Sequence, residues 1–371
     1  MKQTIQICFV FLLLILFACK SDHTTNEVKD VTIEEPKVKQ GPTELIVNLD
    51  QLRLREEPGA KGLEVAKLLN GTKLIDLGEV SDFSTKVKLR GINYNEPWIK
   101  VKRAEGQEGW VYAGGVTFDL ENPTALSQKL QEKRLQSMFG NALTKRMISY
   151  STDYKKVKNS QDFQKLYTES MELRDTLVTL LETKVLIEDP RYMPDLFWLE
   201  DVMPGFESAI VAEGTMYYLF RNYKEMLDKT STTEGMEDDD FTQLCLMVHS
   251  TDSVEYFFKS WFMQTWDYGG SSLLGKGIHH DLLTKMDDLL KKSSLFKNEM
   301  LAIKAEIMKD ITDTYVEYWE SQKDILKEID EIIQSDFDLL DEGEKLALET
   351  RRKMFKKYNA NKIKLNQRAG Y

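Results

Sequence analysis

The chain is poor in cysteine, with Cys8, Cys19 and Cys245 the only three among 371 residues. That excludes a disulfide framework, so stability must come from packing. It also lacks an excess of basic charge. The formal net charge is −11, which removes nucleic acid from the expected partners. Long apolar runs are missing too. The longest, Ile7 through Ala18, is twelve residues. It is too short for a typical membrane-spanning helix and fits the core of a secretion signal. No repeat of fixed period is visible, and no strand pattern is read after residue 125. What is there is ordinary globular composition, 42% hydrophobic, at a length that allows two domains.

Met1-Lys2-Gln3-Thr4 gives the apolar run one leading positive charge, and Lys20-Ser21-Asp22 stops it abruptly. Leu16-Phe17-Ala18-Cys19 resembles a bacterial lipobox, in which a small residue precedes the cysteine. The resemblance implies that residues 1–18 are removed as a lipoprotein signal peptide and that Cys19 becomes a diacylated amino terminus. Several acyl chains are needed because one alone holds a membrane only marginally and reversibly. An uncleaved anchor or an ordinary secretory signal is the alternative. Lys20 does not resemble an inner-membrane retention signal, and the short charged stretch resembles the export tag of some surface lipoproteins, so the membrane and the face stay open. With Cys8 lost and Cys19 acylated, Cys245 has no intrachain partner.

Residues 19–42 hold the acylated cysteine and a tether. The stretch is rich in Lys, Glu, Asp, Thr and Pro and has no apolar period. Such a flexible chain reaches ~25 Å, enough to lift a domain off the headgroups. From residue 43 the pattern alternates: Leu45, Val47 and Leu49, then Leu52 and Leu54, later Lys86-Val87-Lys88-Leu89 and Trp98-Ile99-Lys100-Val101. Glu57-Pro58-Gly59, Asn70-Gly71 and Gly106 mark turns, with Asn70-Gly71 predicting a tight hairpin. Short strands with this punctuation predict a small barrel or sandwich over 43–118.

The segment resembles a bacterial SH3 (SH3b) domain. Leu52-Arg53-Leu54-Arg55-Glu56-Glu57-Pro58 matches the family's opening motif, Gly71-Thr72 its Gly-Thr hairpin, and Trp98-Ile99-Lys100-Val101 with Gly109-Trp110-Val111 its two later motifs. The stretch from Glu79 to Asn95 is longer than in many members, and an extended loop there could rebuild or cover the usual ligand groove. The resemblance implies recognition of a wall peptide or a protein segment, with Trp98, Trp110 and Tyr112 lining the groove.

After Glu121-Asn122-Pro123 the period becomes helical, and Thr124 is placed to cap a helix through Leu126, Leu130 and Leu135. Phe163, Leu166, Tyr167, Met171, Leu173, Leu177, Leu180 and Leu181 share a second apolar face. A further apolar stretch runs from Leu196 to Leu227, and an aromatic helix is expected over Phe241–Trp266. No Gly or Pro lies between Gly277 and Gly343. The spacing from Ser294 to Phe337 predicts either one helix ~60 Å long or two helices jointed near Ser321. A final helix is expected over Glu342–Lys364.

Several constellations are weighed against plain structural roles. Gly270-Ser-Ser-Leu-Leu-Gly275-Lys276-Gly277 spells most of a phosphate loop, but the magnesium-binding Ser or Thr after the lysine is replaced by Gly277. A helix connector explains it better. Cys245 and His249 lie four apart on one helix face, where a core cysteine beside a half-buried histidine is favoured over a nucleophilic pair. His279-His280-Asp281 with His249 is too poorly spaced for a metal, and helix-start contacts account for it. Glu200, Asp201, Glu207 and Glu213 read as solvated carboxylates. Tyr256, Phe257, Phe258, Trp261, Phe262 and Trp266 read as core rather than a glycan platform. Arg351, Arg352, Lys353, Lys356 and Lys357 begin a cationic end that either docks on an anionic surface or forms a dipole-favoured helix terminus.

The sequence thus predicts α+β by modules: a small all-β SH3-like barrel, then a large all-α helical domain over 125–371. The expected function is a non-enzymatic, lipid-anchored protein of the cell envelope, outside the cytoplasm, that binds a peptidoglycan peptide or an envelope protein. No cofactor and no metal are expected. An envelope hydrolase targeted by the barrel, and a structural part of a larger assembly, are the alternatives.

Overall fold

A computed structural model describes residues 44–118, 124–185, 196, 198–211, 216–249, 258–264 and 269–365. The leader, Cys19 and the tether lie outside the described residues.

Seven strands form one antiparallel sheet. They are β1 (Glu44–Val47), β2 (Leu52–Arg55), β3 (Glu64–Leu68), β4 (Lys73–Leu89), β5 (Ile92–Arg103), β6 (Glu108–Tyr112) and β7 (Val116–Thr117). Their order is β3-β2-β6-β5-β4-β1-β7, a curled SH3-like half-barrel. Alternation sets the inner face as read: Leu45, Val47, Leu54, Ile99, Val101 and Val111 are buried. Gly71 does turn the chain with positive φ, but it joins β3 to β4, which are not neighbours. The hairpin expectation at Asn70-Gly71 is corrected: β3 pairs with β2, and β4 with β1 and β5.

The long Glu79–Asn95 stretch is not a loop. It extends β4 and β5 into a ribbon that closes at Leu89↔Ile92 over Arg90-Gly91, both with positive φ, as a two-residue hairpin turn requires. Register shifts at Asp76/Val80 and Val80/Ser84 bend it. On β5 the residues Ile92, Tyr94, Glu96 and Trp98 are buried while Asn93 and Asn95 are exposed. One face of the ribbon is therefore covered, and the helical region covers it.

That region carries ten helices among the described residues. The first three are α1 (Ala125–Phe139), α2 (Asn141–Lys156) and α3 (Ser160–Lys184). Thr124 caps α1 as expected, accepting from the Ser127 backbone N–H. Leu130 and Leu135 of α1 are buried, and so is the predicted face of α3 except for Met171 and Leu180, which are half-buried. Next come α4 (Leu199–Val202), β8 (Phe206–Val211), β9 (Met216–Arg221), α5 (Tyr223–Thr230) and α6 (Glu237–Val248). Then follow β10 (Phe262–Gln264), β11 (Gly270–Ser272), α7 (Ile278–Lys292), α8 (Lys297–Thr312) and β12 (Glu317–Tyr318). The last elements are α9 (Gln322–Gln334), α10 (Glu342–Lys356) and β13 (Lys364–Leu365).

The modular α+β class holds, but the absence of strands after residue 125 is corrected. β8 and β9 form an antiparallel hairpin inside the Leu196–Leu227 stretch, and β10-β11-β12-β13 form a small mixed sheet. The aromatic helix ends at Val248, so Trp261 lies in a turn and Phe262 in β10. The last helix stops at Lys356, and Lys364 is in a strand. The long helix is two. α8 ends at Thr312 and Ser321 caps α9, accepting from the Asp324 backbone N–H. Asp313 ends α8 by accepting from the Tyr315 N–H, a local turn that competes with the helix.

Candidate functional site

The groove aromatics sit on the outer face of the half-barrel, opposite the Ile99–Val101 core. Trp98 pairs with Tyr112, and Lys100 pairs with Trp110, across β5 and β6. Arg55 of β2 pairs with Trp110 on the other side. Gly109, just before Trp110, is required by packing: a Cβ there would come within 2.7 Å of the Arg55 carbonyl oxygen and 2.8 Å of the Leu54 side chain.

Two of the three expected groove residues are closed off. Trp98 and Tyr112 are each only 4% exposed. Their polar ends are satisfied by the ribbon: Trp98 Nε1 donates to Thr85 Oγ1 at 2.9 Å, and the Tyr112 hydroxyl donates to the Thr85 carbonyl at 2.7 Å. The two rings meet edge to face at 5.6 Å, and the Arg55 guanidinium lies 5.8 Å from the Trp98 ring. Burial and the adjoining Glu96 carboxylate keep the Tyr112 hydroxyl protonated. Presentation of Trp98 and Tyr112 to a ligand is corrected for this arrangement, because the ribbon occupies the groove they line. Trp110 remains half-exposed. Leu63, just before β3, is exposed, as is Phe83, whose ring lies against Gly59 in the β2–β3 loop.

The covered end of the same face carries the lock between barrel and helices. Arg134 of α1 donates twice to Glu96, Nε at 2.5 Å and Nη2 at 2.9 Å, and Nη2 also reaches the Ala113 carbonyl at 3.0 Å. Its guanidinium stacks over Phe118 at 4.9 Å, Trp198 at 5.6 Å and Tyr94 at 5.9 Å. Trp198 Nε1 donates to the Tyr94 hydroxyl at 3.1 Å. Sequence reading missed Thr85, Glu96 and Arg134. The signal was the alternating Ile92, Tyr94, Glu96, Trp98, continuous with a strand.

The other constellations turn inward. The Gly275–Gly277 loop holds an anion of its own chain: the Gly275 and His280 backbone N–H groups donate to the Glu328 carboxylate of α9. His279 is fully buried, with Nε2 2.8 Å from Asp310 and Nδ1 3.6 Å from Glu328. Burial opposes the imidazolium, but the two carboxylates outweigh it and raise the His279 pKa. Burial likewise raises the Glu328 pKa, and the hydrogen bond from His279 and the loop N–H groups outweigh it, holding it down to about 2. The phosphate-loop alternative has no vacancy for phosphate here, since Glu328 takes those donors. Cys245 is buried and its thiol is pushed up to about 12 by that burial, which leaves no thiolate for nucleophilic attack. His249 stacks on Tyr223 at 5.3 Å. Among the described residues no group of three His, Cys, Asp or Glu is arranged to hold a metal ion, and no helix is long and apolar enough to cross a membrane.

Of the carboxylates, Glu200 accepts from Ser208, and Glu213 lies outside the described residues. Of the aromatics, Trp261 is buried, Phe258 and Phe262 are half-buried and stacked at 5.4 Å, and Tyr256, Phe257 and Trp266 lie outside. Arg351 is corrected from a surface cation to a buried one: it donates to the Ile311 and Asp313 carbonyls at 3.0 and 2.8 Å and to the Tyr318 hydroxyl at 3.0 Å. It closes the C-terminal end of α8. Arg352 pairs with Asp330 and Lys353 lies 3.9 Å from Glu349, while Lys356 and Lys357 are exposed.

Residues 50–117 match the family described as bacterial SH3 domain. The β-module is therefore a bacterial SH3 domain of the kind that fits a cell-wall binding module, carried on a larger helical body. No curated protein and no solved structure matches the chain.

Proposed function

We propose that this is a non-enzymatic, lipid-anchored binding protein of the bacterial cell envelope. In this reading Cys19 holds the chain to the membrane on its extracytoplasmic side, and the SH3 domain recognises a wall peptide or an envelope protein. The SH3 match over 50–117 is the observation that carries it. The geometry favours the open end of the outer face, where Trp110 stands between Arg55 and Lys100, over the covered Trp98–Tyr112 end. A rigid indole gives contact area at small entropic cost, and with Arg55 buried and bonded to the Gly62 carbonyl and Lys100 paired with Glu79, the ring itself is the contact. The exposed Lys356 and Lys357 add a short-range attraction for anionic headgroups.

The test is co-sedimentation of the mature chain with purified peptidoglycan. Sedimentation that Trp110→Ala abolishes, with the melting temperature kept, supports a wall ligand at this end. No sedimentation of the unaltered chain removes the wall ligand and leaves the protein partner. Metabolic acyl labelling that disappears in Cys19→Ser supports the anchor, and labelling that persists overturns it. Liposome binding by Lys356→Gln/Lys357→Gln should fall at low salt, and unchanged binding removes the headgroup contact.

A further inference from the structure

A cavity of about 350 Å³ opens between α1, α2 and α4, away from the SH3 domain. Gln131, Glu132 and Leu135 line it from α1, Ile148 and Lys155 from α2, and Asp201 from α4. On α1 residues 131 and 135 are one turn apart, and on α2 residues 148 and 155 are two turns apart. Each helix thus lays one face along the groove. Gly140 reverses the chain between the helices with φ of 79°, so the two faces meet. Leu135 is fully buried and makes an apolar floor, and the rim is charged.

Two independent features ask for a ligand. Gln131 is only 6% exposed, yet its Nε2 has no hydrogen-bond partner. An amide donor left buried without an acceptor is destabilising, so an acceptor brought by a ligand is recovered as affinity. The second feature is an excess of negative charge, with Lys155 the one cation lining the cavity among the described residues. Glu132 and Asp201 share the cavity, and Glu200 adjoins Asp201. Partial desolvation and Glu200 push the Asp201 carboxyl up to about 6, against the lowering influence of Arg134 on α1 and Lys155 on α2. Arg134 is already committed to Glu96.

We propose that this cavity binds a small ligand with a primary ammonium beside a carbonyl: an amino-acid amide or the amino end of a short peptide. The ammonium lies against Glu132 and Asp201, the carbonyl accepts from Gln131 Nε2, and the ligand's side chain rests on Leu135 and Ile148. This goes beyond the SH3 reading. No residue of the SH3 domain lines the cavity, so either site stands if the other fails.

Titration calorimetry on the mature full-length chain tests it, with L-alanyl-L-alanine amide as the probe and its N-acetyl derivative as control. The expected result is saturable binding of the probe in the millimolar range or tighter and none of the acetylated form. Asp201→Asn and Glu132→Gln should each weaken binding about tenfold. Gln131→Leu should keep the melting temperature, because it removes an unpaired buried donor, yet also weaken binding about tenfold. Affinity should fall as pH drops through about 6, where Asp201 takes up a proton. Absence of probe binding, equal binding of the acetylated control, or full affinity in Gln131→Leu would each overturn the proposal.

Discussion

Arg134 is the residue on which the junction of barrel and helices most depends. It is 2% exposed, and its charge is answered by Glu96, 4% exposed. Removing one member of a buried pair leaves the other charged and desolvated, so Arg134→Met should cost about 3–5 kcal/mol. Arg134→Met/Glu96→Leu should recover most of that, since an apolar pair of similar volume has no charge to desolvate. Urea unfolding of the three chains measures both. Glu328 and His279 set a pH window by the same logic. The carboxyl of Glu328 falls from 4.5 when unfolded to about 2 when folded, so its contribution is whole above 4.5 and is lost as pH falls toward 2. The imidazole of His279 is raised from 6.5, so its contribution is whole below 6.5 and is lost as pH rises through the folded value. Melting temperature should therefore be highest between about pH 4.5 and 6.5. Glu328→Gln should flatten the acid limb, and an unchanged limb would remove Glu328 as its cause. None of these internal partners was legible in the sequence. Type and spacing identify a cation or an aromatic ring, but Arg351 among seven other cations looks like a surface residue until Ile311, Asp313 and Tyr318 are seen around it.

Among the elements, strands with a clean period of two were readable and strands without one were not. β1 and most of β2 declare themselves by alternation, since one face meets a core and the other meets water, and the Trp98–Val101 part of β5 alternates in type although Trp98 is itself covered. The hairpin β8–β9 is different: Tyr217, Leu219 and Phe220 are buried and no polar partner alternates with them, so its aromatic run imitates a buried helix. The break between α8 and α9 is legible only in part. Ser321 is a good cap, but α8 stops at an Asp313 turn and at Arg351, which arrives from α10. The loop between β11 and α7 gives a graded test of local geometry. Gly275 has φ of 110°, and a Cβ there would come within 2.8 Å of Glu320 and 3.1 Å of the α9 backbone. Gly277 has φ of 87° with open space around it. Gly277→Ala should cost about 1–2 kcal/mol for the left-handed backbone alone. Gly275→Ala should cost more, because α9 must shift and the Glu328 hydrogen bond shifts with it. Equal midpoints in thermal unfolding would show that the approach to α9 carries no energy.

At the scale of the whole molecule, the extended ribbon makes the SH3 domain part of a larger body. Residues 39–371 form one compact unit. Separating the barrel from the helices would expose Ile92, Tyr94 and Trp198, each now under 5% exposed. Fully burying one such side chain is worth about 1.5–3 kcal/mol. Three of them approach the roughly 5–15 kcal/mol by which a whole domain is stable. Opening would also strip Glu96 of Arg134 and Trp198 Nε1 of Tyr94. A barrel that stays folded after its partner has melted is thus disfavoured on both counts. The chain should unfold in a single transition: far-ultraviolet circular dichroism, dominated by the helices, and tryptophan fluorescence, reporting Trp98 and Trp110 of the barrel together with the four tryptophans at 198, 261, 266 and 319, should give coincident midpoints in urea. Arg134→Met should move both midpoints together. A fluorescence curve that splits in two, one part staying in place while the other follows the helical signal, would mean that the barrel folds on its own.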